Sequence, residues 1–198
     1  MTVERNRIGL GFWLQWVLAS TVGLYVGLVM AFVLLAFIAI VLGLEYCDAC
    51  DELTTIGLGI GVGVLQWLVL RRRISGASWW VLASAAGGYG IIQAGFNGYS
   101  ESLWNSYDSI LGWTGVVALG GAVTGTLQWL VLRGQVSRAG WWVLASTVGW
   151  GLGMTAAIAL SRGVGANDFV ALGGIGVVLG AVTGGALVWL LHQPVPEA

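Results

Sequence analysis

The sequence predicts an all-α integral membrane protein. The expected architecture is a six-helix bundle of three like-oriented helical hairpin repeats of about 60 residues (approximately 8–72, 73–134 and 135–192) in a single transmembrane domain, 1–198. Three observations carry this expectation. Hydrophobic residues make up 58% of the chain and charged residues 9%, with a mean hydropathy of +0.88. Soluble domains carry about 25% charged residues, so this chain lacks the polar atoms to cover a water-facing surface. Charged or turn-rich breaks leave six apolar runs, against the roughly 20 residues that a helix needs to cross about 30 Å of hydrocarbon. Finally, VLQWLVLRRRISGASWWVLAS, from Val64 to Ser84, returns as TLQWLVLRGQVSRAGWWVLAS, from Thr126 to Ser146, with fragments at Trp13 to Ser20 and Ala186 to His192.

The elements follow in order. Arg5 and Arg7 precede a first run, residues 14–44, whose uncharged stretch far exceeds the roughly 7–15 residues of a secretion-signal core, so it reads as a retained span. The remaining runs cover residues 54–70, 79–95, 109–132, 141–160 and 169–191. Arg71, Arg72 and Arg73 join the second run to the third, and Arg133 and Arg138 join the fourth to the fifth. Only Arg162 falls in the opposite set of loops, where Glu45, Asp48, Asp51, Glu52, Glu101, Asp108 and Asp168 also lie. The positive-inside rule then puts both termini and both arginine loops in the cytoplasm, and the expected location is the bacterial inner membrane. Trp16, Trp67, Trp79, Trp80, Trp129, Trp141, Trp142 and Trp189 fall at the cytoplasmic ends, as an interfacial belt would.

The Trp-Val-Leu-Ala-Ser segment at Trp80 recurs 62 residues later at Trp142 and 64 earlier at Trp16. One unit therefore reads as a WVLAS helix outward, an acidic turn and a glycine-rich helix back. Three such units suit a quasi-threefold bundle or a row. Apolar burial cannot drive helices together in lipid, so packing must come from small residues at helical spacing. Gly23 with Gly27, Gly59 with Gly63, Gly121 with Gly125, Gly149 with Gly153, and Gly176, Gly180 and Gly184 supply it, each pair four residues apart.

Candidate polar sites are few. Gln66 and Gln128 share one repeat position inside the membrane and call for a partner, a backbone carbonyl or a serine of the neighbouring WVLAS helix. Gln93 and Asn97 share one face of the third run, Thr155 stands at the position of Gln93, and Thr124 and Thr183 sit in GAVTG runs. These groups either bond between helices or line a neutral polar path. No Asp, Glu, Arg or His is expected deep in a span, which disfavours ion-coupled pumping and proton relays. The single histidine, His192, suits an interfacial place better than ligation. Cys47 and Cys50 form a short pair in an acidic external loop, open to a disulfide, to metal capture or to redox use, the surrounding carboxylates disfavouring the thiolate. Tyr99, Trp104 and Tyr107 mark a partner-contact surface in the long aromatic loop. Arg71 to Arg73 could meet anionic headgroups, although topology already accounts for them. No metal motif, nucleotide fingerprint or nucleic-acid footprint is present, and no catalytic set assembles.

The phrase LQWLVLR…WWVLAST, carried by Leu65 to Arg71, Leu127 to Arg133 and the WVLAS segments at Trp16, Trp80 and Trp142, resembles a group of repetitive glycine- and tryptophan-rich bacterial multi-pass membrane proteins. The resemblance covers nearly the whole chain and implies no activity. It departs in the last hairpin, where Val188 replaces the glutamine and His192 stands near the arginine position. The expected function is a non-enzymatic scaffold, accessory subunit or oligomeric assembly unit, with membrane lipids and further copies or subunits as partners and no nucleic acid. The alternatives are a channel or facilitator for a small neutral or lipophilic solute, using Gln66, Gln128, Gln93 and Thr155, and a lipid- or pigment-binding subunit. No cofactor is required by the first two.

Overall fold

A computed structural model describes residues 9–43, 50–92 and 110–193. These residues form six helices: α1 (Leu10–Leu42), α2 (Cys50–Leu70), α3 (Trp79–Ile92), α4 (Ile110–Leu132), α5 (Trp141–Val164) and α6 (Asp168–His192). Five of them are long and apolar enough to cross a membrane. The exception to the six expected spans is α3, which the structure describes for 14 residues, or about 21 Å; its expected continuation to residue 95 lies outside the described residues. Arg162, expected in a loop, belongs to the last turn of α5, because the apolar run continues helically to a left-handed Gly165 cap at φ 67°. Asn167 caps α6, its side chain accepting from the Val170 amide at 3.1 Å.

Each helix packs against its neighbours in sequence, and α6 packs against α1, so the six close into a ring. Neighbours run antiparallel: Gly23 meets Val62 and Gly27 meets Leu58, while Gly176 faces Thr21 and Gly180 faces Val17. The exterior carries the large apolar side chains, among them Leu18, Leu82, Leu111, Leu144 and Phe169, all exposed. That inversion of a water-soluble surface is what a lipid solvent permits.

Small residues set the distances between helices. A Cβ on Gly23 would lie 2.6 Å from the Val62 Cα, one on Gly125 2.7 Å from the Ser146 Cβ, and one on Gly180 2.7 Å from the Val17 Cα. Gly59, Gly63, Gly121 and Gly176 are equally close to the next helix, and Gly27 to Gly57 and Leu58. Gly149 and Gly153 touch Leu179 and Ile175 at 3.1 to 3.4 Å, and Gly184 touches Trp16 and Trp13 at 3.0 and 3.2 Å. The α3–α4 seam uses a glycine not singled out by spacing, Gly87, which faces Thr124.

Two similar eight-residue loops join α2 to α3 and α4 to α5. Gly76 and Arg138, 62 residues apart, occupy the same left-handed turn at φ 67° and 60°. A side chain there costs roughly 1–2 kcal/mol, which glycine avoids in the first loop.

Candidate functional site

The centre of the ring at the arginine-loop end is built from three tryptophans. Trp16, Trp80 and Trp142 are 0%, 0% and 1% exposed and meet edge to face, with ring centroids 5.9, 6.0 and 5.3 Å apart. These three therefore do not belong to an interfacial belt. Trp80 and Trp142 each stand one residue after an outward-facing tryptophan, Trp79 and Trp141, and Trp16 one residue after Gln15; a step of about 100° along a helix turns the second ring toward the axis. Trp79, Trp141 and Trp189 are exposed and Trp67 and Trp129 half-buried. Around the triad pack Leu70, Leu132, Leu187, Leu190, Ile74 and Val136, all buried, and this cluster plugs the axis.

Each indole N–H in the triad finds a partner on a return helix. Trp80 donates to Gln66 Oε1 at 2.9 Å and Trp142 to Gln128 Oε1 at 3.0 Å. Gln66 Nε2 in turn donates to Ser20 Oγ at 3.0 Å, and Gln128 Nε2 to Ser84 Oγ at 2.9 Å. The serines pass the bond on to the carbonyls of Trp16 and Trp80, four residues earlier. Each glutamine thus staples its own helix to both neighbours, and a serine of a WVLAS helix is the partner that the sequence called for.

The third staple differs. Trp16 donates to Thr183 Oγ1 at 3.0 Å, and Thr183 donates to the Leu179 carbonyl. The sequence places Val188 at the glutamine position, but the packing places Thr183 there. Gly63, Gly125 and Gly180 all face the equivalent Val and Ser of the following WVLAS segment, and each stands three residues before Gln66, Gln128 and Thr183 respectively. Threonine reaches only one neighbour, and Ser146 donates instead to the Gly121 carbonyl. The α5–α6 seam consequently has no carboxamide bridge. Thr183→Gln should supply one, between Trp16 and Ser146, and raise stability by about 1 kcal/mol. Thermal melting in detergent checks this, and an unchanged or lowered midpoint counts against the geometry.

Directly above the tryptophans lies an axial cavity of about 210 Å³. Gln66, Gln128, Thr183, Ser84 and Ser146 form its polar floor, and Trp142 also faces it. Leu58, Val62, Val117, Met154, Ile175 and Leu179 line its walls. A carboxamide has two N–H donors and two acceptor positions. The bonds above engage one of each in Gln66 and in Gln128, whose side chains are 4% and 5% exposed. Among the described residues the second N–H of each has no partner, and both side chains border the cavity.

The other expected polar residues stand elsewhere. Thr155 lies on the α4–α5 seam, where it bonds to the Gly151 carbonyl and lies 3.2 Å from Thr114 Oγ1, away from the axial cavity. Thr124 does line the cavity, bonded to the Gly120 carbonyl. His192 Nδ1 lies 2.6 Å from the Val188 carbonyl, at the exposed end of α6. Gln93, Asn97, Tyr99, Trp104 and Tyr107 lie outside the described residues, as does Cys47, so the pairing of Cys47 with Cys50 does too. Among the described residues no cluster of three or more His, Cys, Asp or Glu is placed to hold a metal. The inward tryptophans were missed from sequence; their signal was the Trp-to-Ser spacing of four, which puts Trp16 with Ser20, Trp80 with Ser84 and Trp142 with Ser146 on one helix face.

Compared with known proteins, the chain matches no family model, and neither curated proteins nor solved structures show significant similarity to it.

Proposed function

We propose that this chain is a non-enzymatic multi-pass membrane protein that holds a small, neutral, lipophilic molecule in the blind cavity on its axis. In this reading three like-facing hairpins surround the axis, the arginine-loop end and both termini face the cytoplasm, and the membrane is the bacterial inner membrane. The observation that carries it is the cavity itself: apolar walls, a floor with two spare amide donors, and a tryptophan plug beneath. The recurrence of the Trp–Gln–Ser staple, with tryptophan and glutamine 62 residues apart and serine 64, supports the repeat, and the clustering of arginine at one end supports the orientation.

The plug weighs against a conducting path, because a solute crossing the axis must displace a close-packed cluster. The volume weighs against a pigment, being below the roughly 300–1,000 Å³ of sites for drug-sized ligands. A carbonyl or hydroxyl group facing Gln66 and Gln128, on a compact hydrocarbon body, satisfies both halves of the lining.

Camphor, a compact neutral ketone, and camphane, its parent hydrocarbon, make suitable probes. Camphor should bind the detergent-solubilised protein about fivefold more tightly, the worth of one net hydrogen bond of about 1 kcal/mol. Val117→Phe should abolish binding by filling the cavity. Ligand-observed nuclear magnetic resonance checks both. Equal binding of the two probes, or retention by Val117→Phe, sinks the reading, and camphor-insensitive solute flux in liposomes would favour a channel.

A second reading, an oligomeric assembly unit, is favoured by the far half of α1. The helix has 33 residues, about 50 Å, and Phe32, Phe37 and Ile40 are exposed beyond the point where Tyr25 bonds to the Phe169 carbonyl at the start of α6. Native mass spectrometry of the intact chain separates the two readings, since a monomer that retains camphor supports the first alone.

A further inference from the structure

The ring presents three outward grooves between the helices of successive hairpins, and they differ in one systematic way. The first, between α1 and α2, is about 740 Å³ and ends at Arg71, Arg72 and Arg73. The second, between α3 and α4, is about 530 Å³ and ends at Arg133 alone. The third, between α5 and α6, is about 410 Å³, and no arginine lines it. Their apolar walls are alike: Leu18, Leu82 and Leu144 hold one position, and Ala19, Ala83 and Ala145 the next. Their mouths are not. Trp79 and Trp141 stand where the first groove has Gln15, and Trp141 meets Trp189 edge to face at 6.4 Å across the third.

We infer that the α1–α2 groove is a binding site for one anionic phospholipid. An acyl chain lies along Leu18, Val22, Leu65 and Leu68, and the phosphate meets the three guanidinium groups where the groove ends. Charge complementarity selects this occupant. Arg71 rests over the Trp67 ring at 5.6 Å and Arg73 over the Phe12 ring at 5.2 Å, which places both exposed heads at the groove. The one acidic residue whose side chain is described, Asp168, opens α6 at the opposite end of the bundle. Guanidinium matches phosphate in a fork geometry, and polybasic segments next to a membrane helix attract anionic lipid. Topology alone asks for arginine in this loop. It does not ask for the largest of the three grooves to coincide with three of them, while the smallest has a tryptophan pair at its mouth.

The test uses the full chain in a neutral detergent, with phosphatidylglycerol and phosphatidylcholine of the same chain length as probes and native mass spectrometry as the readout. The wild type should retain one phosphatidylglycerol at least tenfold more tightly than phosphatidylcholine, and the preference should shrink in high salt. R71Q/R72Q/R73Q should remove the preference, R133Q should leave it intact, and Q15W should lower retention of both lipids by closing the mouth. Should the triple variant fail to fold, R72Q alone should still weaken retention about threefold, since Arg72 is exposed. Soluble glycerol phosphate should not displace the lipid; if it does at comparable concentration, the site is a phosphate site and the groove plays no part. Equal retention of the two lipids by the wild type, or an undiminished preference in R71Q/R72Q/R73Q, overturns the inference. Neither result bears on the axial cavity.

Discussion

Trp80→Ala should lower the stability of the bundle by about 4 kcal/mol, the largest effect of any single side chain here. In water a buried tryptophan loses both a transfer contribution and a cavity contribution, together about 3–5 kcal/mol. In lipid the separated helix still surrounds the ring with apolar matter, so most of the loss is the cavity left between Trp16 and Trp142, on the order of 3 kcal/mol. Removing the indole also leaves Gln66 Oε1 without its donor at a buried site, which adds about 1 kcal/mol. Trp80→Phe separates the parts, since it keeps most of the packing and loses the bond. Adding Gln66→Leu to Trp80→Phe removes both partners and should recover part of that loss. Thermal melting in detergent, followed by near-ultraviolet circular dichroism, reads all three. A Trp80→Ala loss as small as that of Trp79→Ala, whose ring is 65% exposed, would mean that the triad does not hold the ring closed.

Gly180→Leu should cost about 3 kcal/mol and open the α1–α6 seam. The added Cβ meets the Val17 Cα at 2.7 Å and the Ser20 Cβ at 3.1 Å. Val17 Cα is backbone and cannot rotate away, so the helices must separate, and overpacking of this kind costs about 1–3 kcal/mol or more. Separation also lengthens the Trp16–Thr183 bond one turn away. The seam matters more than its size, because it alone joins the last helix to the first. Gly121→Leu should be similarly harmful, meeting the Trp150 Cβ at 2.8 Å and the Ser146 carbonyl at 3.0 Å. Gly115→Leu is the control: nothing lies within 4 Å of its Cβ, and the better helix former should be neutral or stabilising by under about 1 kcal/mol. If all three variants melt alike, glycine spacing has no packing role.

The class of protein and the places of its helices were legible in the sequence. Lipid as solvent imposes a length and an apolar composition on every span, and both are properties of one stretch at a time. Helix ends accordingly fell within a few residues of expectation wherever they are described, and the expected end of α3 and the loops at 44–49 and 93–109 lie outside that part. The glycine spacing is likewise a property of one stretch: Gly59 and Gly63, or Gly176 and Gly180, are four apart whatever they face.

Three matters were decided only by tertiary structure. A tryptophan at a helix end suits an interface or a core, and only the contacts between Trp16, Trp80 and Trp142 distinguish them. Ring or row depends on α6 meeting α1, which no local pattern encodes. The replacement for the third glutamine is the sharpest case. AVTG at 122–125 and 181–184 pairs Thr124 with Thr183, and the Leu-x-Trp match pairs Gln128 with Val188, yet packing sets Thr183 beside Trp16 in the glutamine's place. The glycines of α6 seat it against α1 one turn away from the register its sequence suggests. Residue identity repeats along the chain, but axial position is set by where two backbones can touch.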